Sequence, residues 1–445
     1  MNIHPTGKSH FRYLRSILVF YRAALAMAGA LIPIHAHAAD FYINAAGPRG
    51  DGSGSSAENA ADATPGKYNS FVQAHNVAGT TIIYAPGTYY DYPALSMFSG
   101  VTHRGSGIDS TIIKIPDGAA DGSFTPLFLA NGGKISNFRF TDATIDFNAS
   151  KSAWWKKGTG KCIAFAFSLA DHCTIQRIKF INIGSRNSES FPVFFCVGGS
   201  ANGRMNNNLV DSCIFTQPIV KGNTNGGLTC IQMADMLPGL TTDTTNVASN
   251  NQFLKLKYPE YSDLPYAQGC SCPAAKNNIA DGIDSLWFVE PTTTTFAGVT
   301  VQVTGNTLTN CGPIALVLMH STGNFAGNLS VKKNTVLMTQ HPYAFQGPGG
   351  PLGVSVATYE AGNSPVGNIT VEENTFTAPL PLAVSPTAVR VNPKSPNFFH
   401  TADLSVAGNI LINFPRDGKE YNVSEDAAYV RHYANTGNTF HENVK

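Results

Sequence analysis

The sequence carries little charge. Asp, Glu, Lys and Arg make up only 13% of its 445 residues, about half the share of an average soluble domain. The formal balance is +1, and no long run of one sign occurs. Nucleic acid is therefore excluded as a partner, because its binders need a basic face or tail. Helical periodicity is also scarce, with one short candidate near 69–78, which excludes a helical bundle. Beyond the N-terminal region no apolar run approaches the roughly 20 residues of a membrane span. None of the eight cysteines (162, 173, 196, 213, 230, 270, 272 and 311) stands at zinc-ligand spacing. No aspartate cluster has the spacing of a Ca²⁺ loop, so no metal site is expected.

Glycine (42 residues), asparagine, threonine and serine fill the space that charge leaves. That composition suits a β-rich extracellular protein. The N-terminus agrees. Lys8, Arg12 and Arg15 precede the apolar stretch AALAMAGALIPI (23–34), and AHA at 36–38 has the form of a cleavage site. Residues 1–38 read as an export signal, so the mature protein is expected to be secreted or periplasmic. Export permits disulfides. Cys270 and Cys272 in GCSCP are too close to bridge each other without strain. Cys162, Cys196, Cys213 and Cys230 lie in apolar strand patterns and read as buried thiols.

A repeat dominates the rest. KISNFRF (134–140), TIQRIKF (174–180), LVDSCIF (209–215), NNQF (250–253), VQVTGNTL (301–308), LSVKKNTV (329–336), ITVEENTF (369–376), LSVAGNIL (404–411) and NTGNTF (435–440) align. Their last large apolar residues form one column: Phe140, Phe180, Phe215, Phe253, Leu308, Val336, Phe376, Leu411 and Phe440. Two positions earlier runs a second: Phe138, Ile178, Cys213, Asn251, Asn306, Asn334, Asn374, Asn409 and Asn438. In a parallel solenoid equivalent side chains stack at strand spacing. Large apolar residues then pile up inside, and stacked asparagines satisfy buried turn amides. Another strand recurs between the columns, in GGLTCIQMAD (226–235), DGIDSLWFVE (281–290), GPIALVLMHS (312–321) and GPLGVSVATYE (350–360). Each repeat therefore holds at least two strands.

The segment FYINAAG…DGSGSSAENA (41–60), then TTIIYAPGTYY (80–90) and VTHRGSGIDSTIIKI (101–115), resembles the opening of the pectin-lyase-like β-helix superfamily. Gly87, Tyr89, Gly105, Gly107, Thr111 and Ile113 carry the match. The resemblance implies an all-β, single-stranded, right-handed parallel β-helix (solenoid) with an N-terminal cap. The cap and first coils are assigned to 39–130, and the helix proper to 131–445. Long loops are expected at 216–227, 236–250 and 254–280. The superfamily holds polysaccharide lyases, glycoside hydrolases, epimerases, tailspikes and adhesins, and its enzymes work in a groove walled by loops.

Candidate chemistry follows from that groove. DGID (281–284) resembles, over that segment alone, part of the N-T-D-G-I-D motif of polygalacturonase-type hydrolases. Ile279-Ala280 stand in place of Asn-Thr, and Asn310-Cys311 where that family carries paired aspartates. Asp281 and Asp284 are catalytic candidates. On one continuous strand they would face opposite sides. Asp235, Glu290, His320 and Glu360 end the recurring strands and are the other carboxylate or acid–base candidates. Tyr258, Tyr261 and Tyr266 on the segment 254–280, with Trp287 and His341, are candidates for stacking on sugar rings. Lys255 and Lys276 would make a basic wall.

The expected function is an exported carbohydrate-active enzyme that cleaves a polysaccharide or oligosaccharide, with glycoside hydrolysis favoured. The alternatives are β-elimination on a uronate polymer, for which Ca²⁺ would serve as cofactor, and a non-catalytic glycan-binding or adhesin-like solenoid. A monomer or homotrimer is expected.

Overall fold

A computed structural model describes residues 39–441 except 91–94, 119–126, 131–133, 152–161, 168, 185–188, 196–202, 219–226, 234–239, 258–263, 265, 291–293, 320–323, 339–350, 359–366, 381–385, 393–400, 415–420 and 424–429. The chain is a right-handed parallel β-helix. Its strands form a 24-stranded sheet and an 11-stranded sheet, with three two-stranded pairs beside them. The neighbours are parallel. The 11-stranded sheet runs in strict chain order from Leu95–Met97 to Tyr421–Val423, one strand to each coil. The helix expected near 69–78 is Tyr68–His75. It packs on Ala61–Asp62 and Leu95–Met97, and Tyr68 and Val72 are buried. No helix among the described residues is long and apolar enough to cross a membrane.

One coil shows the plan. Ala274–Lys276 and Ile279–Asp281 belong to the large sheet, and Ser285–Val289 to the 11-stranded one. Between the first two strands the chain turns through a single left-handed residue, Asn277 (φ +54°). The same turn recurs at Asp142, Arg177, Ser212, Asn250, Gly305, Lys333, Glu373, Gly408 and Gly437. Left-handed backbone is uncommon outside glycine. Here it recurs because the residue after it must point inward.

That next residue is the second column of the repeat. Asn251, Asn278, Asn306, Asn334, Asn374, Asn409 and Asn438 form a continuous ladder, each Nδ2 donating to the next Oδ1 at 2.8–3.1 Å. The accounting closes at the interior rungs. Asn306 Oδ1 accepts from the Asn278 backbone N and from its Nδ2. Asn306 Nδ2 donates to Asn334 Oδ1 and to the Ala275 carbonyl. Both lone pairs and both protons are used, so a buried amide costs little.

Two sequence assignments change. Asn278 and Ala280 complete a coil inside the segment 254–280, where a single long loop was expected. Phe253 pairs with Ala280, and Ala280 with Leu308. The segment holds strands Ala267–Ser271, Ala274–Lys276 and Ile279–Asp281. The segment 236–250 likewise holds Leu240–Thr242 and Val247–Ser249. Phe140 also leaves its column. The strand Arg139–Asp146 is continuous, and Ile145 is the partner of Phe180, while Phe140 pairs with Ile175.

The two sheets differ in burial. In the large sheet the strands alternate, as in Val301 and Val303 inward with Gln302 and Thr304 half-buried. In the 11-stranded sheet Leu228–Gln232, Ala267–Ser271 and Ser285–Val289 are buried at every position. Phe288, Leu316 and Leu318 form an apolar cluster apart from the main core, so both faces of this sheet are covered. All seven described cysteines are free and buried. Cys270 and Cys272, expected in a loop, lie on or beside an interior strand.

Candidate active site

The 11-stranded sheet positions the site through three successive coils. Ser190 pairs with Leu228, and Leu228 with Ala267. Glu189, Gly227 and Tyr266, each one residue earlier, therefore stack in one column. Gly227 has no side chain, and the Tyr266 ring fills its place: a β-carbon there would fall 1.9 Å from the ring. Across this gap the Tyr266 phenol reaches Glu189 and hydrogen-bonds to it. Burial pushes the phenol well above its ordinary pKa, and the charges of Glu189 and Glu290 push it further. Tyr266 stays protonated and donates.

A polar relay backs Glu189. Thr229 Oγ1 lies 3.0 Å from Glu189 Oε1 and 2.9 Å from Gln268 Oε1. The hydroxyl has one proton and cannot serve two acceptors. A consistent network turns the Gln268 amide over, a choice that hydrogen-bond logic decides. Gln268 then donates to Thr229, and Thr229 to Glu189. Glu189 thus takes two neutral donors, Tyr266 and Thr229, which hold its carboxylate in one orientation. Glu290 follows the strand Ser285–Val289 and is exposed. Its field reaches Tyr266. The arrangement is one carboxylate, Glu189, held by a phenol and a hydroxyl, with the charge of a second carboxylate, Glu290, acting on the phenol.

Of the residues expected from sequence, Tyr266 hydrogen-bonds Glu189 here, and Glu290 acts on Tyr266 through its charge. Glu189 was missed. It precedes a strand whose alignment with GGLTCIQMAD would have placed it opposite Gly227 and Tyr266. Asp281 lies on the large sheet, half-buried, with Asn310 Nδ2 at 3.4 Å from its carboxylate. The chain then turns at Gly282 (φ +73°). Asp284 beyond it is buried, 1% exposed. The two aspartates do not share a face. Trp287 is not a wall residue. It is fully buried, donates from Nε1 to the Cys272 carbonyl at 2.7 Å, and packs near Phe296 and Phe325. Lys255 is exposed at a left-handed turn (φ +56°), and Lys276 is half-buried on the large sheet. Neither stands on the 11-stranded sheet. Asp235, Tyr258, Tyr261, His320, His341 and Glu360 lie outside the described residues. Among the described residues no group of three or more His, Cys, Asp and Glu side chains could hold a metal ion.

The fold has solved counterparts. The tailspike protein of Escherichia coli bacteriophage HK620, solved in complex with a pentasaccharide, is similar at TM-score 0.57 and 12% identity, over 89% of this chain and 64% of that one. The A-module of the mannuronan C-5 epimerase AlgE6 of Azotobacter vinelandii matches at TM-score 0.40 and 14% identity, over 84% of this chain and 93% of that one. The chain thus spans about two thirds of the tailspike's length. No family model matches the sequence, and no curated protein matches it.

Proposed function

We propose that this protein is an exported carbohydrate-active enzyme, and that it hydrolyses a glycosidic bond with Glu189 and Glu290 as its two carboxylates. The observation that carries the reading is the Tyr266 phenol, donated to Glu189 and set in the field of Glu290. Glycoside hydrolysis needs one carboxyl to protonate the leaving oxygen and a second to activate water or attack the sugar. Tyr266 and Thr229 fix Glu189 in orientation, and the exposed Glu290 can meet substrate directly. The fold likeness supports the reading, since the HK620 tailspike holds an oligosaccharide on the same architecture.

The acidic character of the site favours a neutral or N-acylated glycan. A uronate polymer would bring negative charge against Glu189 and Glu290. β-Elimination on it would need a cation at the substrate carboxylate, and Lys255 and Lys276 stand away from the 11-stranded sheet. Ca²⁺, expected only for a lyase, has no part in this reading.

The test is a panel of neutral glucans, fructans, N-acetylated glycans, pectin and alginate, followed by reducing ends and by absorbance of unsaturated uronate. New reducing ends without absorbance are expected. Glu189→Gln should lower turnover by about 10²–10⁴-fold, the usual worth of a positioned acid or base, with its melting temperature unchanged. Absorbance, or full activity in Glu189→Gln, would overturn the assignment. Glycan binding without product would make the protein a binding module.

A further inference from the structure

Asp284 takes no part in that chemistry, yet it is a carboxyl group in the interior of a β-helix. Its side chain is 1% exposed. Oδ2 accepts the backbone N–H of Ala267 at 2.6 Å, and the Asp284 N–H donates to the Ala267 carbonyl at 2.8 Å. Oδ1 is buried without a partner. The Lys257 ammonium is close enough for its charge to stabilise the carboxylate. Lys257 is itself anchored: its backbone N donates to the Gly282 carbonyl at 2.8 Å, and its Nζ donates to the Leu264 carbonyl.

These contacts converge on one junction. The chain leaves the large sheet after Leu254, runs through 255–266, and enters the 11-stranded sheet at Ala267. Lys257 holds the start of that segment and, through Leu264, its end. Asp284 holds the first residue of the strand. Tyr266 is the residue immediately before it. A buried carboxyl is costly unless a specific arrangement needs it, and a strand does not need one to begin. An apolar residue would fill the site more cheaply.

We propose that Asp284 is a positioning residue for the site, a clamp on the Ala267 N–H that fixes where Tyr266 leaves the backbone and so where its phenol meets Glu189. Lys257 completes the clamp from the loop side. The inference rests on the reading of Glu189, Tyr266 and Glu290 as the reacting site. The DGID segment then has a role that its likeness to a catalytic motif did not suggest: Gly282 makes the turn, and Asp284 supports the preceding coil's tyrosine.

The experiment compares Asp284→Ala, Asp284→Asn, Lys257→Met and Tyr266→Phe with the unaltered protein on the substrate found by the panel. Amide hydrogen exchange at Ala267 and Leu228 is followed in parallel. Asp284→Asn keeps an oxygen that accepts the Ala267 N–H. It should retain kcat within about twofold, whereas Asp284→Ala should lose about tenfold or more in kcat with KM little changed, as misplacement of a reacting group does. Ala267 should lose exchange protection in Asp284→Ala and keep it in Asp284→Asn. Should Asp284→Ala fail to fold, Lys257→Met carries the test from the exposed side, with a smaller loss of kcat. Unchanged kcat in Asp284→Ala or in its substitute, or an equal fall in Asp284→Asn, would overturn the clamp. If Tyr266→Phe is fully active, the site reading fails instead. The exchange data then decide the clamp alone, and unaltered protection at Ala267 in Asp284→Ala rejects it.

Discussion

The coils before Phe253 and those after Asn251 solve one problem in two ways. In the earlier coils the interior is a pile of rings. Phe180 and Phe215 stack at 4.6 Å and 7°, and Phe215 and Phe253 at 5.2 Å and 13°. The inward turn position there holds Ala143, Ile178 and Cys213. In the next three coils the rings give way to Ala280, Leu308 and Val336, before Phe376 resumes the column, and asparagine occupies the inward turn position throughout. An apolar core runs through both halves, but at this turn position the first half presents apolar side chains and the second paired amides. The candidate site lies at the changeover. Glu189, Thr229, Tyr266 and Glu290 come from the coils where the ring stack ends and the ladder begins. A strictly repeating coil spends each inward position on its neighbour above and below. Side chains such as Tyr266 that reach across a rung become available where the repeat is broken, as at Gly227.

The largest effect should come from opening the ring stack. Phe215→Ala removes the middle of three stacked rings and leaves a cavity, at a cost of about 3–5 kcal/mol. Solenoid stability is a sum over neighbouring coils, so the loss should fall on the first half. A calorimetric trace that splits into two transitions, with the upper one unmoved, is the expected result. A single transition shifted as a whole would mean that the halves are not separable.

Proton linkage separates the regions on the pH axis. Burial pushes Asp284 up to about 7 from an ordinary 3.8, against the opposing pull of Lys257 and the Ala267 N–H. Between those values the folded chain holds a proton that the unfolded chain has released. Stability is therefore lost as pH rises from about 4 to about 7, by up to about 1.4 kcal/mol per unit. His103, among the rings of the first half, is fully buried and pushed down to about 3 from 6.5 by burial. Its Nδ1 meets the Tyr84 hydroxyl at 2.7 Å. Its contribution has the opposite sense and is lost as pH falls from 6.5 toward 3. Denaturant titrations at pH 5 and pH 8 should show Asp284→Asn gaining on the unaltered protein at pH 8 and not at pH 5. An equal difference at both would show that Asp284 does not titrate in that window.

A break in the ladder comes next. Asn306→Ala strands the Asn278 backbone N–H and one of its Nδ2 protons, and takes a donor from the Ala275 carbonyl, while Asn334 Oδ1 keeps the backbone N–H at position 306. Unsatisfied buried groups cost about 1–3 kcal/mol each before any local rearrangement, so a loss of about 2–3 kcal/mol is expected. The fall should appear in the later coils' amide exchange. Cys213→Ala, at the same turn position in the earlier half, should cost less, because the Cys213 backbone N–H keeps its bond to Asn251 Oδ1. Equal costs would mean that the ladder adds nothing to ordinary packing.

The fold was legible because stacking turns coils into aligned columns, and columns survive variable loops. What escaped were the positions where a column changes chemistry. Asn278-x-Ala280 has the ladder residue but an alanine where a large side chain was expected, so a whole coil passed for a loop. Phe140 passed for a column member because Arg139–Asp146 carries inward residues on both sides of its turn. The site was legible in part. Tyr266 and Glu290 stood out at a loop end and a strand end. Glu189 did not, because its meaning depends on the absent side chain of Gly227 a coil away. Asp281 and Asp284 attracted attention by motif, but Gly282 turns the chain between them. Trp287 looked like a wall residue because Ser285–Val289 is buried on both faces and shows no alternation to say which way it points.

The smallest effect should lie on the outside of the turn whose inside holds the ladder position. Arg177 and Asp142 occupy the left-handed turn position in adjacent coils and form a two-pronged ion pair, Nε to Oδ1 at 2.5 Å and Nη2 to Oδ2 at 2.8 Å. The pair lowers the Asp142 pKa. The Arg177 side chain is 46% exposed, so solvent screens much of the attraction. Exposed ion pairs contribute up to about 1 kcal/mol, and less as salt rises. Arg177→Ala should therefore cost under about 1 kcal/mol, and the difference should shrink in high salt, as urea titrations at low and high ionic strength can measure. Asn306→Ala should show no such salt dependence, because its partners are buried dipoles rather than exposed charges. A cost for Arg177→Ala that matched the ladder substitution and ignored salt would place the stabilisation of the turn outside the coil instead of within it.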